Sequence, residues 1–123
     1  MTSAVLALVL ALQSPAPVSP TQPEELATLD AKLGDCTADF IVKGADGNPI
    51  YAASIQVRVR YGAMSVKRMD LEIATGPDGK ARIVGLPKKA KPLVYEIRKG
   101  DLKSAATQDV SKTCRGSYDV TLK

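Results

Sequence analysis

The stretch Ser54–Tyr61 reads SIQVRVRY, and its strict alternation decides the fold. From position 55 onward, every odd-numbered residue is apolar or aromatic, and every even-numbered residue is polar or charged. Because successive side chains of a β-strand point to opposite faces, this period of two is typical of a strand with one buried face and one solvated face. The stretch therefore predicts a strand that covers one side of a hydrophobic core.

Six further runs between residues 36 and 122 show the same alternation, which is weaker in Lys103–Val110, and turn sequences separate them. These runs are Cys36–Lys43, Lys67–Thr75, the segment of Ala81 and Ile83, Leu93–Lys99, Lys103–Val110 and the segment Tyr118–Leu122. The turns are rich in Gly, Asp, Asn and Pro, as in GADGNP at Gly44–Pro49. Seven short strands without helical runs between them predict an all-β domain over residues 35–123, a seven-stranded antiparallel β-sandwich.

The second and third predicted strands are joined through Tyr61–Val66 and should form a hairpin. If Val59 lies opposite Leu71, the outward-facing pairs are Arg58 with Glu72 and Arg60 with Asp70. Opposite charges across two strands favour that register, so both arginines are expected to be neutralised by neighbours.

The N-terminus carries an apolar run without charge, AVLALVLAL at Ala4–Leu12. Its nine residues fit the core of a secretory signal and fall short of the ~20 that span a bilayer. We expect a signal peptide over residues 1–13, with cleavage after Ala11 and after Gln13 both open. Residues 14–23 are rich in proline and predict an extended linker.

Residues 24–34 are expected to form a short helix. Thr21 and Glu24 match a capping box, and Pro23 suits the first helical turn. Apolar residues then recur at helical spacing as Leu26, Leu29 and Leu33. The leucines of this helix would pack either on the following domain or on a partner, and the pattern leaves both open.

The composition excludes several classes of chemistry. The 123 residues include no His, which rules out a Ser–His–Asp triad, a Cys–His pair and any His-ligated metal. No nucleophile-elbow or Ser-x-x-Lys pattern occurs either. We therefore expect no catalytic residues, no cofactor and no metal. With export, no Trp and one Phe, nucleic acid is not an expected partner.

The two cysteines, Cys36 and Cys114, are 78 positions apart, at the start of the first predicted strand and before the last. In an exported chain, two cysteines that can meet usually form a disulfide. Neither belongs to a Cys-x-x-Cys pair, so a structural link is expected rather than a redox centre.

Two segments carry a resemblance to a known family. KGADGNPIYAASIQV (Lys43–Val57) and TGPDGKARIVGL (Thr75–Leu86), followed by Pro87 and a strand with Tyr95, resemble carboxypeptidase regulatory-like domains. The resemblance implies a transthyretin-like β-sandwich. The turn that usually follows Leu-Pro is replaced here by KKAKP (Lys88–Pro92). Ring-cleaving iron dioxygenases and hydroxyisourate hydrolases share the general sandwich, but resemblance to them implies catalytic histidines that this chain lacks.

The segment Lys88–Lys91 is the candidate site. It contains the least neutralised charges, and basic residues of the preceding strand are expected to extend it. The candidate anion-binding residues are Lys88, Lys89, Lys91, Lys80 and Arg82. A basic loop attracts acidic polysaccharide or a phospholipid surface, although many such loops only solubilise the protein.

The sequence thus predicts a secreted or periplasmic, non-catalytic module without a transmembrane span. Its role would be binding or structural support, and its partner an envelope or extracellular protein, or a polysaccharide. The alternative is a carbohydrate- or anionic-surface-binding module that uses the Lys88–Lys91 loop. The oligomeric state stays open.

Overall fold

A computed structural model describes residues 26–123. These residues form eight β-strands and one short turn of 3₁₀-helix, Ala63–Ser65. The strands are β1 (Ala27–Asp30), β2 (Cys36–Gly44), β3 (Ser54–Tyr61), β4 (Lys67–Ala74), β5 (Lys80–Leu86), β6 (Leu93–Lys99), β7 (Leu102–Gln108) and β8 (Arg115–Leu122). The expected signal peptide and linker, residues 1–23, lie outside the described part of the chain.

The strands form two four-stranded sheets, in the orders β1-β5-β2-β8 and β4-β3-β6-β7. The second sheet is antiparallel throughout. In the first sheet, β1 pairs with β5 and β2 pairs with β8 in parallel. The prediction of an all-β sandwich is confirmed. The count of seven strands and the purely antiparallel arrangement were wrong, because strand order and direction depend on long-range pairing that alternation alone does not specify.

The strand that the sequence does not predict is β1. It occupies the described part of the segment where a helix is expected, residues 24–34. Ala27–Asp30 pairs in register with β5, from Ala27 opposite Ala81 to Asp30 opposite Val84. Leu29 becomes half-buried in this pairing. The leucine spacing suited a helix, but an isolated helix of this length is only marginally stable in water. Pairing with the open edge of β5 satisfies the same backbone groups and also partly buries Leu29.

The core lies between the inward faces of the two sheets and contains a cluster of three aromatic rings. Phe40 packs edge-on against Tyr95 with ring centroids 4.8 Å apart, and it stacks on Tyr118 at 5.6 Å. The residues that alternate inward in the sequence are those that form this core. Fully buried aliphatic side chains surround the rings, among them Ile55, Ile83, Leu86, Leu93, Ile97 and Leu122.

The hairpin of β3 and β4 has a register two residues away from the expected one. Val57, not Val59, lies opposite Leu71. Arg58 consequently faces Asp70, and Arg60 faces Arg68. The expected pairs were wrong because the turn closes between Tyr61 and Lys67, which moves β4 by two positions along β3.

Candidate functional site: a basic end of the sandwich

Four connections meet at one end of the sandwich and concentrate its positive charge. We call residues 30–35, 60–68, 87–92 and 109–115 the basic end. It carries nine basic residues and three acidic ones, whereas the other described residues include eight of each. The whole charge surplus of residues 26–123 therefore lies at this end.

A disulfide fixes the base of this end. Cys36 and Cys114 are joined, which confirms the predicted pair. Beside the bond, the Thr37 N–H donates to the Cys114 carbonyl at 2.8 Å. Cys36 is fully buried. The bond connects the first residue of β2 to the residue that precedes β8.

Gln108 adds a buried polar network next to the disulfide. Its Nε2 donates to the carbonyls of Thr37, at 3.0 Å, and Thr113, at 2.8 Å. Its Oε1 accepts the Tyr95 hydroxyl at 2.5 Å. Burial raises the pKa of Tyr95 well above its ordinary value, and the nearby Tyr118 adds to the shift. The network holds the 109–114 connection in place from inside the core.

The turn between β3 and β4 is the most exposed apolar feature of this end. Met64 is 93% exposed and Val66 is 76% exposed. Met64 and Ser65 both have left-handed backbone conformations, with φ of 57° and 56°. Such conformations are costly for residues other than glycine. The turn contains no buried side chain that would compensate for that cost through the core.

The predicted basic loop lies beside this turn. Tyr61 forms an isolated bridge with Ala90, and the Lys91 N–H donates to the Arg60 carbonyl at 3.3 Å. Lys88, Lys89 and Lys91 are all exposed. The loop after β5 thus approaches the end of β3, where the arginines are.

A groove lies on the outer face of the second sheet, over β3, with β4 on one side and the segment Lys91–Glu96 on the other. The two strands pair regularly only from Ser54 to Gln56, opposite Arg98 to Glu96. Between that ladder and the Tyr61 bridge, β3 has four residues and the facing segment has five, which is the geometry of a β-bulge. Pro92 lies in the longer segment and has no N–H to donate. The regular ladder between β3 and β6 therefore ends at Gln56.

The charges in the groove differ along its length. Arg58 donates to Asp70 at 2.8 Å, and this hydrogen bond holds the pKa of the Asp70 carboxyl below its ordinary value. Near the basic end, Arg60 and Arg68 are direct cross-strand neighbours. Within residues 26–123, no carboxylate forms an ion pair with either of them. Like charges directly opposite each other are unfavourable, so this arrangement favours a counter-anion.

Two of the predicted site residues lie elsewhere. Arg82 donates to Asp39 at 2.6 Å on the outer face of the first sheet. Lys80 begins β5, and the six residues to Leu86 cover about 20 Å. Neither residue joins the Lys88–Lys91 loop, because that loop follows the far end of the strand.

Sequence reasoning missed several residues that the structure brings beside the loop. They are Arg60, Met64, Val66, Lys67 and Arg68. A signal for two of them was available, since Met64 and Val66 are apolar residues inside a turn, outside the alternation of either strand.

The described residues also bear on metal binding and membrane spanning. Residues 26–123 contain no group of three or more His, Cys, Asp or Glu that would hold a metal ion. Over the same residues, the structure has no helix of sufficient length and apolar character to cross a bilayer.

Comparison with known proteins identifies the fold. No protein-family model and no curated protein matches this chain. Catechol 1,2-dioxygenase from Pseudomonas arvilla C-1 has a similar structure, with a TM-score of 0.54 and 10% identity. The match covers 85% of this chain and 59% of the dioxygenase chain.

A second catechol 1,2-dioxygenase, from Acinetobacter sp. ADP1, gives a TM-score of 0.50, also at 10% identity. That match covers 85% of this chain and 60% of the enzyme. The chain thus spans about three fifths of the length of the dioxygenase chains it resembles. At this identity the similarity concerns the fold alone, which is a β-sandwich.

Proposed function

We propose that the chain is an exported, non-catalytic β-sandwich module that binds or supports another component of the cell envelope or extracellular space. The Cys36–Cys114 disulfide is the observation that carries the proposal. Disulfides persist in oxidising compartments and are rare in the cytosol. The apolar run Ala4–Leu12 supports the same compartment from the other end of the chain.

The absence of catalysis is part of the proposal. A sequence without histidine has no imidazole base or ligand, and most of the charged groups at the basic end are lysines and arginines. A concentration of exposed cations attracts an anionic partner, which favours binding over catalysis. The family we propose is that of the carboxypeptidase regulatory-like domains, with a transthyretin-like sandwich. Its support is the two segments that begin at Lys43 and Thr75.

The second candidate function is binding of carbohydrate or of an anionic surface. The charge distribution favours it, because the entire positive surplus of the described residues lies at one end. Lys88, Lys89 and Lys91 belong to that end, whereas Lys80 and Arg82 lie outside it. The partner would therefore contact the connections at the basic end and not the outer face of the first sheet.

Export is tested by expressing the full chain and recovering the protein from outside the cytoplasm. N-terminal sequencing should show a chain that lacks at least residues 1–11. Thiol labelling under denaturing conditions should find Cys36 and Cys114 blocked. The control is Leu8→Arg, which interrupts the apolar run and should leave the protein unprocessed in the cell. Exported material that still begins at Met1 or Thr2, or that carries two free thiols, would contradict the proposal.

A further inference from the structure

The turn between β3 and β4 combines exposed apolar side chains with a surrounding group of cations. The side chains of Met64 and Val66 are exposed to solvent, and none of the turn's residues is buried. Six basic residues flank the turn, three from its own hairpin and three from the adjacent loop. They are Arg60, Lys67, Arg68, Lys88, Lys89 and Lys91.

The contacts that place the two groups together are backbone contacts. The Tyr61–Ala90 bridge and the Lys91 N–H bond to Arg60 join the loop to the base of the hairpin. The cross-strand pairs Tyr61–Lys67 and Arg60–Arg68 place two more cations directly below the turn. The apolar turn and the cations therefore cluster at one end of the sandwich, where Arg60 and Arg68 lie on the outer face of the second sheet and Lys67 on its other face.

We propose that this end docks on a bilayer that carries anionic phospholipids, with Met64 and Val66 inserted at the headgroup level. The inference deepens the anionic-surface-binding function above and rests on it. Apolar side chains that enter the interface and basic residues that face anionic headgroups are the two contributions that hold peripheral proteins on such membranes. Both are present here, within one hairpin and its neighbouring loop.

A bilayer fits this surface better than an acidic polysaccharide does. A polysaccharide would satisfy the cations, but it would leave Met64 and Val66 in water. Sugar recognition commonly uses exposed aromatic rings, and the strongly exposed tyrosine of the described residues, Tyr51, is at the opposite end of the sandwich. A lipid surface supplies both the negative charge and an apolar layer beneath it.

Insertion of the turn is tested with a single tryptophan, because the chain contains none. The Met64→Trp variant should show a blue shift of its emission when vesicles of 70% phosphatidylcholine and 30% phosphatidylglycerol are added. The matched control is Tyr51→Trp, an exposed position at the other end, whose emission should not change. Equal shifts in both variants, or no shift in either, would overturn the insertion.

The cations are tested by cosedimentation with the same vesicles at 50 mM salt. Replacing Lys88, Lys89 and Lys91 by Gln should weaken binding roughly 100-fold, at about fivefold for each lysine. The matched control replaces Lys99, Lys103 and Lys123, exposed lysines at the opposite end, and should bind almost as the parent does. Binding of the parent should also fall steeply at 500 mM salt. Equal losses in both triple variants would mean that net charge alone acts, which would overturn the proposal.

Substitution of the two apolar side chains distinguishes binding to a bilayer from binding to a soluble polyanion. Replacing Met64 and Val66 by Ser should weaken vesicle binding at least about tenfold and leave dextran sulfate binding unchanged. Any leader residues are common to all variants, so the differences between variants report on the basic end. Binding to dextran sulfate without binding to vesicles would overturn the bilayer and favour a polysaccharide. These results are independent of export, whose failure would appear in the sequencing and thiol experiment instead.

Discussion

Gln108 is the residue that connects the core of the sandwich to its basic end. Its amide group is directed inward, to the Tyr95 hydroxyl and to the carbonyls of Thr37 and Thr113. A buried polar side chain is stable only when its partners are present. The sequence placed Gln108 in a weak strand and gave no reason to expect these three partners, since Thr37 is 71 positions away.

Replacing Gln108 by Ala should lower the free energy of unfolding by about 3 kcal/mol or more. The change leaves one hydroxyl donor and two carbonyl acceptors without their partners inside the protein, and each unsatisfied group costs roughly 1–3 kcal/mol. Urea unfolding followed by circular dichroism measures the effect. Gln56→Ala, at an exposed position of β3, is the control and should stay within about 0.5 kcal/mol of the parent. A loss no larger than that of the control would contradict the role of the network.

The buried phenol of Tyr95 should make the protein less stable in alkali. Its folded-state pKa is raised, so the native protein keeps this proton at pH values where the unfolded chain, with a pKa of about 10, has released it. The stabilisation is therefore complete below pH 10 and is lost as the pH rises above it. One group contributes at most about 1.4 kcal/mol for each pH unit.

Urea unfolding between about pH 8 and pH 11.5, on either side of the phenol's ordinary pKa, tests this dependence. Tyr95→Phe removes the phenol and should show a shallower decline in stability at alkaline pH than the parent, although it is less stable near neutrality. Tyr51→Phe, which changes an exposed phenol, should follow the parent throughout. Identical slopes for the parent and Tyr95→Phe would show that Tyr95 does not cause the alkaline loss.

At the scale of elements, alternation was enough to find seven strands and not enough to arrange them. The predicted runs Ser54–Tyr61 and Leu93–Lys99 coincide with β3 and β6. The segment of β1 was assigned to a helix, because its leucine spacing is local whereas its partner, β5, is more than fifty residues away. The same limit applies to the hairpin, whose register depends on how tightly the turn closes.

Gly85 shows what the pairing of β1 requires from β5. It has φ of 72°, and a Cβ there would overlap the Asp30 carboxylate and lie 2.6 Å from the Lys32 nitrogen. The chain leaving β1 passes directly over this glycine, and the Leu33 N–H donates to its carbonyl at 2.7 Å. A side chain at this position would push the backbone after β1 away from the sheet.

Gly85→Ala should therefore be much more destabilising than a glycine substitution at a comparable backbone angle. Gly100 has φ of 60°, and a Cβ added there would meet nothing within 4 Å, so Gly100→Ala isolates the cost of the angle, about 1 kcal/mol. Gly85→Ala adds the steric overlap and should cost at least about 3 kcal/mol. Thermal and urea unfolding of both variants provide the comparison. Equal losses of stability in the two variants would mean that the backbone after β1 can move away from an added Cβ without lowering the free energy of unfolding.

At the scale of the whole molecule, charge is arranged by topology and not by sequence proximity. Lys80 and Arg82 are close to Lys88 in the chain but are separated from it by the length of β5. Arg60 and Arg68 are far from Lys91 in the chain, yet they join it at one end because β3, β4 and the loop after β5 converge there. The sequence could identify the basic loop, but only the strand order shows which residues share its surface.

The Cys36–Cys114 disulfide joins two segments of that end of the sandwich. Its cysteines are 78 positions apart, so the loop that the bond closes contains most of the strands of both sheets. In the chain-entropy model, such a loop stabilises the fold by roughly 4 kcal/mol, chiefly by restricting the unfolded chain. Because a domain of this size has a stability of about 5–15 kcal/mol, the bond is a large part of the total.

Replacing both cysteines by Ser should lower the free energy of unfolding by about 2–5 kcal/mol. Reducing the parent with dithiothreitol should give a similar loss, whereas the reductant should not affect the double variant. Intact mass before and after reduction supplies the direct check, with a gain of two hydrogens on reduction of the parent only. The Gln108 network lies beside the bond and survives the change, so the variant should refold to the same sandwich with weaker protection of the 109–114 connection in hydrogen exchange. Unchanged stability of the double variant would mean that the core and the polar network stabilise the fold without the bond. The disulfide would then indicate an oxidising compartment but would not stabilise the domain.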